Sequence, residues 1–234
     1  MWDRKELKTK GKVAFKKNYW PCVLVALILS ILTVGSTSTS SSRIQSQTSS
    51  LSNVHLTVSE RSAAVMAVIA AVAVIVVIAI LITIFIINPL IVGAYRFFVR
   101  NSVEEKASAG LIASAYKDGN FGKIFVTMFL RDLFRALWTL LFIIPGIVKS
   151  YSYRMVPYLL ADHPEMSATE IITMSREMMN GHKWNAFVLD LSFIGWHLLA
   201  TITCGLVGIF YVNPYVQATN AELYMALSTK QATL

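Results

Sequence analysis

Charge is what this chain has least of. Only 15% of its 234 residues are charged, against 55% that are hydrophobic, a balance that excludes an ordinary soluble domain and makes lipid the natural solvent. The sequence also lacks the ten-residue alternating segments of a membrane β-barrel. Backbone groups in hydrocarbon find no water to bond, so long apolar runs that are not barrel strands must be helices. Acidic residues are scarcer than basic ones, 13 against 21, for a formal charge of +8. The basic residues cluster beside the apolar runs, where the positive-inside rule and anionic headgroups account for them, and this excludes nucleic acid as the partner.

Cysteine is scarce as well. Cys22 and Cys204 lie in apolar stretches without C-x-x-C spacing, which excludes a disulfide framework and a zinc ribbon. No H-E-x-x-H, G-x-S-x-G, P-loop or G-x-G-x-x-G motif stands in a suitable context, so no enzyme class, catalytic residue or cofactor is implied. Asp162, His163, Glu165, Glu170 and His182 are potential metal ligands, but their spacing fits no recognised site.

What is present is a succession of apolar runs and basic connections. Residues 1–18 carry Arg4, Lys5, Lys8, Lys10, Lys12, Lys16 and Lys17 around scattered apolar positions, the pattern of a basic juxtamembrane helix on the cytoplasmic surface. Tyr19 and Trp20 suit the headgroup level, and Pro21 suits the first turn of a span over about 20–34. That run resembles a signal peptide, but its basic part is long and residues 35–42 show no A-x-A cleavage pattern, so it reads as a retained anchor. Residues 35–62 are rich in Ser and Thr and read as an external loop. Ala63 to Ile87 is the clearest span, about 25 residues without a charge, more than a bilayer needs.

Basic residues return from Arg96 to Lys123, marking a cytoplasmic connection. Phe121 to Ile144 and Ile147 to Ala161 then read as two short spans in a hairpin, or as a broken re-entrant pair. The segment 167–180 opens on Ser167-Ala168-Thr169-Glu170, a capping box, and repeats apolar residues at Ile171, Met174, Met178 and Met179, so it reads as an amphipathic surface helix ending near Gly181. Spans follow over 184–203 and from 205 to about 227. The fold expected is all-α, a polytopic transmembrane bundle of about six spans, with residues 19–234 as one membrane domain and both termini cytoplasmic. Lys149, at the outer end of the hairpin, fits that topology poorly.

Ionisable groups within spans cost about 2.5–3.5 kcal/mol at mid-bilayer, so each needs a partner, a wet cavity or a function. Asp190 has His197 seven residues on, and the two read either as a proton relay or polar substrate site, or as a place where Asp190 pairs with Arg154 to fix packing. Arg131, Asp132 and Arg135 read either as a pocket for an anionic headgroup or as an interfacial collar with Asp132 neutralised locally. Phe85-x-x-Asn88-Pro89 recurs as Phe210-x-x-Asn213-Pro214, and matched breaks of this kind mark central sites in some transporters.

Several blocks carry a resemblance. Arg4-Lys5-Glu6-Leu7-Lys8 with Asn18-Tyr19-Trp20, the run from Ile143 to Tyr158, the stretch Met179 to Trp184 and the run Leu189 to Trp196 resemble the bacterial domain-of-unknown-function 975 membrane proteins. More distantly, the order of a Tyr/Arg-rich helix, Pro-Tyr-Leu-Leu, an amphipathic helix and Gly-x-x-Trp is similar to the membrane domain of glycerophosphodiester phosphodiesterases, whose catalytic domain has no counterpart here. The resemblance implies a membrane module of the bacterial cytoplasmic membrane without hydrolase activity. The function expected is non-enzymatic binding of membrane lipids, through anionic headgroups, or of a partner protein. The alternatives are a small transporter or channel around Asp190 and, third, a membrane-embedded enzyme.

Overall fold

The longest apolar run becomes the longest helix. In the computed structural model, which describes residues 2–35, 58–104, 106–117, 119, 121–141 and 143–231, helix α3 (Val58–Ile82) passes through a π-helical turn (Thr83–Ile87) into α4 (Asn88–Val103). Residues Val65–Val103 form a continuous rod of 39 residues, about 58 Å at 1.5 Å per residue. Its two halves differ. Val74, Ile75 and Ile78 are at least half exposed, whereas Val92, Ala94, Phe97 and Phe98 are fully buried. The upper half presents apolar side chains to its surroundings, in a rod long and apolar enough to cross a membrane, and the lower half is the axis of a packed bundle.

Around α4 stand α2 (Tyr19–Gly35), α5 (Phe121–Leu141), the short α7 (Val156–Asp162) and α11 (Asn213–Gln231). Gly93 lets the chain at Ile112 lie directly on α4, since a Cβ there would run into the Ile112 backbone. Helix α1 (Arg4–Lys17) packs along α11. Phe15 meets Tyr211 and Gly11 meets Thr219, so the first and last helices are antiparallel neighbours. Between α1 and α2 the chain turns by 106°. Asn18 holds that corner: its side-chain amide donates to Asn101 Oδ1 at 3.0 Å and to the Ala107 carbonyl at 2.9 Å.

The remaining helices are α6 (Ile143–Ser152), α8 (Ala168–Met178), α9 (Lys183–Leu191) and α10 (Ile194–Ile202). α5 and α6 form a tight hairpin, closed where Gly146 abuts Thr139. α8 starts at the expected capping box, with Ser167 and Glu170 bonded reciprocally, and its apolar stripe (Ile171, Met178, Met179) is buried against the bundle. The following chain turns at Gly181, φ +73°.

All described residues that form regular structure are helical, and no strand occurs among them. Six full-length spans are not what these helices present. Two are long and apolar enough to cross a membrane, Val65–Val103 and Lys183–Ile202, with a third if α1 and α2 are counted as one bent span. The reasons lie in the other helices. α5 carries Arg131, Asp132 and Arg135 at its middle, α6 and α7 are separated by a break at 153–155, and α11 carries Thr219, Asn220 and Glu222 and is packed against α1. The Ser/Thr-rich segment expected as an external loop falls, from 36 to 57, outside the described residues, as does Asp118, whose Asp-Gly pair with Gly119 is a turn signal in the sequence.

The recurrent Asn-Pro motif has a structural counterpart. A five-residue π-helical turn directly precedes Asn88-Pro89, and another (Gly208–Val212) directly precedes Asn213-Pro214. Proline offers no N–H and its ring crowds the carbonyl four residues back, so one widened turn lets the helix continue across it. Phe142-Ile143-Ile144-Pro145 repeats the motif in part; Phe142 is outside the described residues, and Pro145 lies near the start of α6 with no such turn among the described residues.

Candidate functional site

A polar cluster sits where the turn after α6 meets α9 and α11. Arg154, in that turn, donates from Nη1 to Asp190 Oδ2 and from Nη2 to Asp190 Oδ1, both at 2.7 Å. Nη2 also donates to Asn220 Oδ1 of α11 at 2.8 Å, and the Tyr151 hydroxyl donates to Asp190 Oδ2 at 3.0 Å. The Arg154 side chain is only 16% exposed and that of Asp190 39%. This two-pronged geometry is the strong form of an ion pair, and it ties three elements together. Both carboxylate oxygens are engaged, so the arrangement acts as an interhelical staple. Below it, Tyr95 and Tyr158 pack ring to ring at 4.4 Å and Tyr158 stacks on Tyr224 at 5.5 Å. The buried Tyr158 hydroxyl has no hydrogen-bond partner among the described residues, while Tyr224 donates to Asp162 Oδ2 at 2.9 Å.

His197 does not join the cluster. The helix carrying Asp190 breaks at Ser192-Phe193 before α10 begins, so a seven-residue spacing no longer keeps the two on one face. His197 is exposed. Nor do the three charges on α5 converge as a cationic pocket. Arg131 turns onto its neighbour Asp132, with Nε at 2.9 Å and Nη2 at 2.7 Å from Oδ1, and Arg135, one turn on, is exposed. Asp162, His163 and Glu165 form loose contacts, with His163 Nδ1 3.4 Å from Glu165 Oε1, and Glu170 belongs to the capping box. Among the described residues no group of three or more His, Cys, Asp or Glu is arranged so that it could hold a metal ion.

Sequence reasoning missed Tyr151 and Asn220 as members of the staple. Neither a tyrosine next to a span nor an asparagine in an apolar helix has a distinguishing local signal. It also missed a cleft of about 270 Å³ beside the staple, between α6, α8 and the start of α9, walled by Lys149, Arg176, Glu177 and Lys183. The awkward place of Lys149 in a six-span topology was the only sign of it.

Residues 140–231 match a family model described as a protein of unknown function (DUF975). The matched stretch holds Arg154, Asp190, Asn220 and the cleft, and excludes Arg131, Asp132 and Arg135. No curated protein and no solved structure matches the chain. What residues 140–231 are similar to is therefore the DUF975 family.

Proposed function

We propose that the protein is a non-enzymatic membrane module that binds anionic lipid headgroups of a bacterial cytoplasmic membrane, with both termini on the cytoplasmic side. The observation that carries this reading is the 106° turn between α1 and α2. If α2 enters the bilayer, α1 lies nearly flat on it. One flank of α1 is buried against α11 through Leu7, Gly11 and Ala14, while Lys5, Lys12 and Lys16 remain exposed. Trp20, 71% exposed, sits at the corner, where an amphipathic aromatic ring settles at headgroup level. The antiparallel pairing of α1 with α11 supports a common side for the two ends.

A basic side chain near an anionic surface is worth about 1 kcal/mol, so reversing three charges weakens lipid association by tenfold or more. The test compares wild type with the triple variant Lys5→Glu, Lys12→Glu, Lys16→Glu in native mass spectrometry, counting phosphatidylglycerol and phosphatidylcholine adducts. Selective loss of phosphatidylglycerol is expected. Equal retention of phosphatidylglycerol by both proteins would overturn the reading.

A further inference from the structure

The cleft beside the staple gathers three cations from three helices. Lys149 comes from α6, Arg176 from α8 and Lys183 from the start of α9, facing one carboxylate, Glu177. Three positive charges less one negative leave the wall at a formal +2. Lys149 stands in the field of both Arg176 and Lys183, so the cluster repels itself. Among the described residues neither Arg176 nor Lys183 forms an ion pair or a side-chain hydrogen bond, and Glu177 neutralises neither. Thr173 and Asn180 add exposed polar groups to the same wall.

A fold that holds unpaired like charges around a small hollow is stabilised by an anion placed among them. A phosphate group, with a charge between about −1.5 and −2 near neutral pH, matches the wall in sign and size. Arginine supplies a two-pronged donor for phosphate oxygens and lysine a point charge. The volume is below the usual range of about 300–1,000 Å³ for small-molecule sites, enough for a headgroup phosphate and little more. Apolar groups adjoin two of the lining lysines: the Lys149 ammonium lies 4.7 Å from the Trp138 ring centroid, and Trp184, next in the chain to Lys183, is 71% exposed.

We propose that this cleft binds one phosphate group through Lys149, Arg176 and Lys183, borne either by a lipid headgroup at the membrane boundary or by soluble phosphate. The proposal is independent of α1, and the triple α1 variant should keep the site intact. Full-length protein carrying Trp2→Phe, Trp20→Phe and Trp196→Phe, in a nonionic detergent at fixed ionic strength, is titrated with dihexanoyl phosphatidic acid, dihexanoyl phosphatidylcholine and sodium phosphate, and the emission of the remaining Trp138 and Trp184 is read.

A saturable change with phosphatidic acid or phosphate, and none with phosphatidylcholine, is expected. Losing one charge-assisted hydrogen bond makes binding about tenfold weaker, so Arg176→Gln and Lys183→Gln should each show that loss. Glu177→Gln should bind about threefold tighter, the scale of one exposed charge interaction, a gain that mere disruption of the fold does not produce. Phosphatidic acid binding tenfold or more tighter than phosphate assigns the site to lipid; comparable affinities assign it to the phosphate group alone, and either result supports the proposal. No saturable response to either ligand, or a response unchanged in Arg176→Gln and Lys183→Gln, overturns it.

Discussion

Removing Asp190 alone should cost more than removing Asp190 and Arg154 together. In Asp190→Ala the guanidinium keeps Asn220 but loses both carboxylate bonds while remaining in a site where its side chain is only 16% exposed. Breaking a fully buried pair costs about 3–5 kcal/mol, mostly because the surviving charge stays desolvated. The Asp190 side is 39% exposed, so water enters the vacated space and screens that charge, and about 2 kcal/mol is the reasonable expectation. For a chain of this length each kcal/mol moves Tm by about 2–4 °C, which gives a fall of roughly 4–8 °C. The double variant Arg154→Met, Asp190→Leu removes both charges and fills the space, and should recover to within about 1 kcal/mol of wild type. Thermal unfolding in detergent, followed by far-ultraviolet circular dichroism, reads all three proteins. A single variant as stable as wild type, or a double variant no better than the single, would refute the staple.

Two further expectations concern packing and capping. An ideal Cβ at Gly11 would lie 2.8 Å from the Thr219 Cα and N, so Gly11→Ala should push α1 off α11 at a cost of about 1–3 kcal/mol, read as a lower Tm and faster proteolysis near the N-terminus. Ser167→Ala removes the α8 cap and should cost about 1 kcal/mol by the same unfolding assay. The Glu170 carboxyl is held below its ordinary value by the Ser167 backbone N–H and then by the Ser167 hydroxyl. A depressed carboxyl stabilises above its unfolded pKa and loses that contribution as pH falls through the folded one. The Tm difference between wild type and Glu170→Ala should thus be largest above about pH 4.5 and shrink below it; a difference independent of pH would contradict the box.

The features legible in the sequence were local. Ala63 to Ile87 declared itself because an uncharged run of that length has no soluble alternative, and the α8 boundaries followed from a cap whose two partners are three residues apart. The paired Asn-Pro breaks were visible as a pattern, though not that each would be crossed by a π-helical turn. Contacts between distant segments were not legible. α11 read as a span because its tyrosines, alanines and valines resemble a lipid-facing surface, whereas they face α1 and α4. The basic residues of α1 read as wholly directed at headgroups, yet Lys8 reaches the Ser192 carbonyl at 3.3 Å and lies over the Phe193 ring. Asp190 and Arg154 stood out because membrane-embedded charges demand partners. Tyr151 and Asn220 did not, and the charges of the cleft are gathered only by the fold.

In the proposed arrangement α1 lies along the headgroups while α2 and α3 enter the hydrocarbon. The direct measurement is the depth of nitroxide labels at Lys12, Ile31 and Val74, placed singly in a Cys22→Ala, Cys204→Ser background in phosphatidylglycerol-containing bilayers and read by relaxation with oxygen and with a water-soluble nickel complex. The label at Lys12 should sit at headgroup depth, and the labels at Ile31 and Val74 within the hydrocarbon, favouring oxygen over nickel. A Lys12 label as accessible to nickel as free nitroxide, or an Ile31 or Val74 label in water, would contradict it.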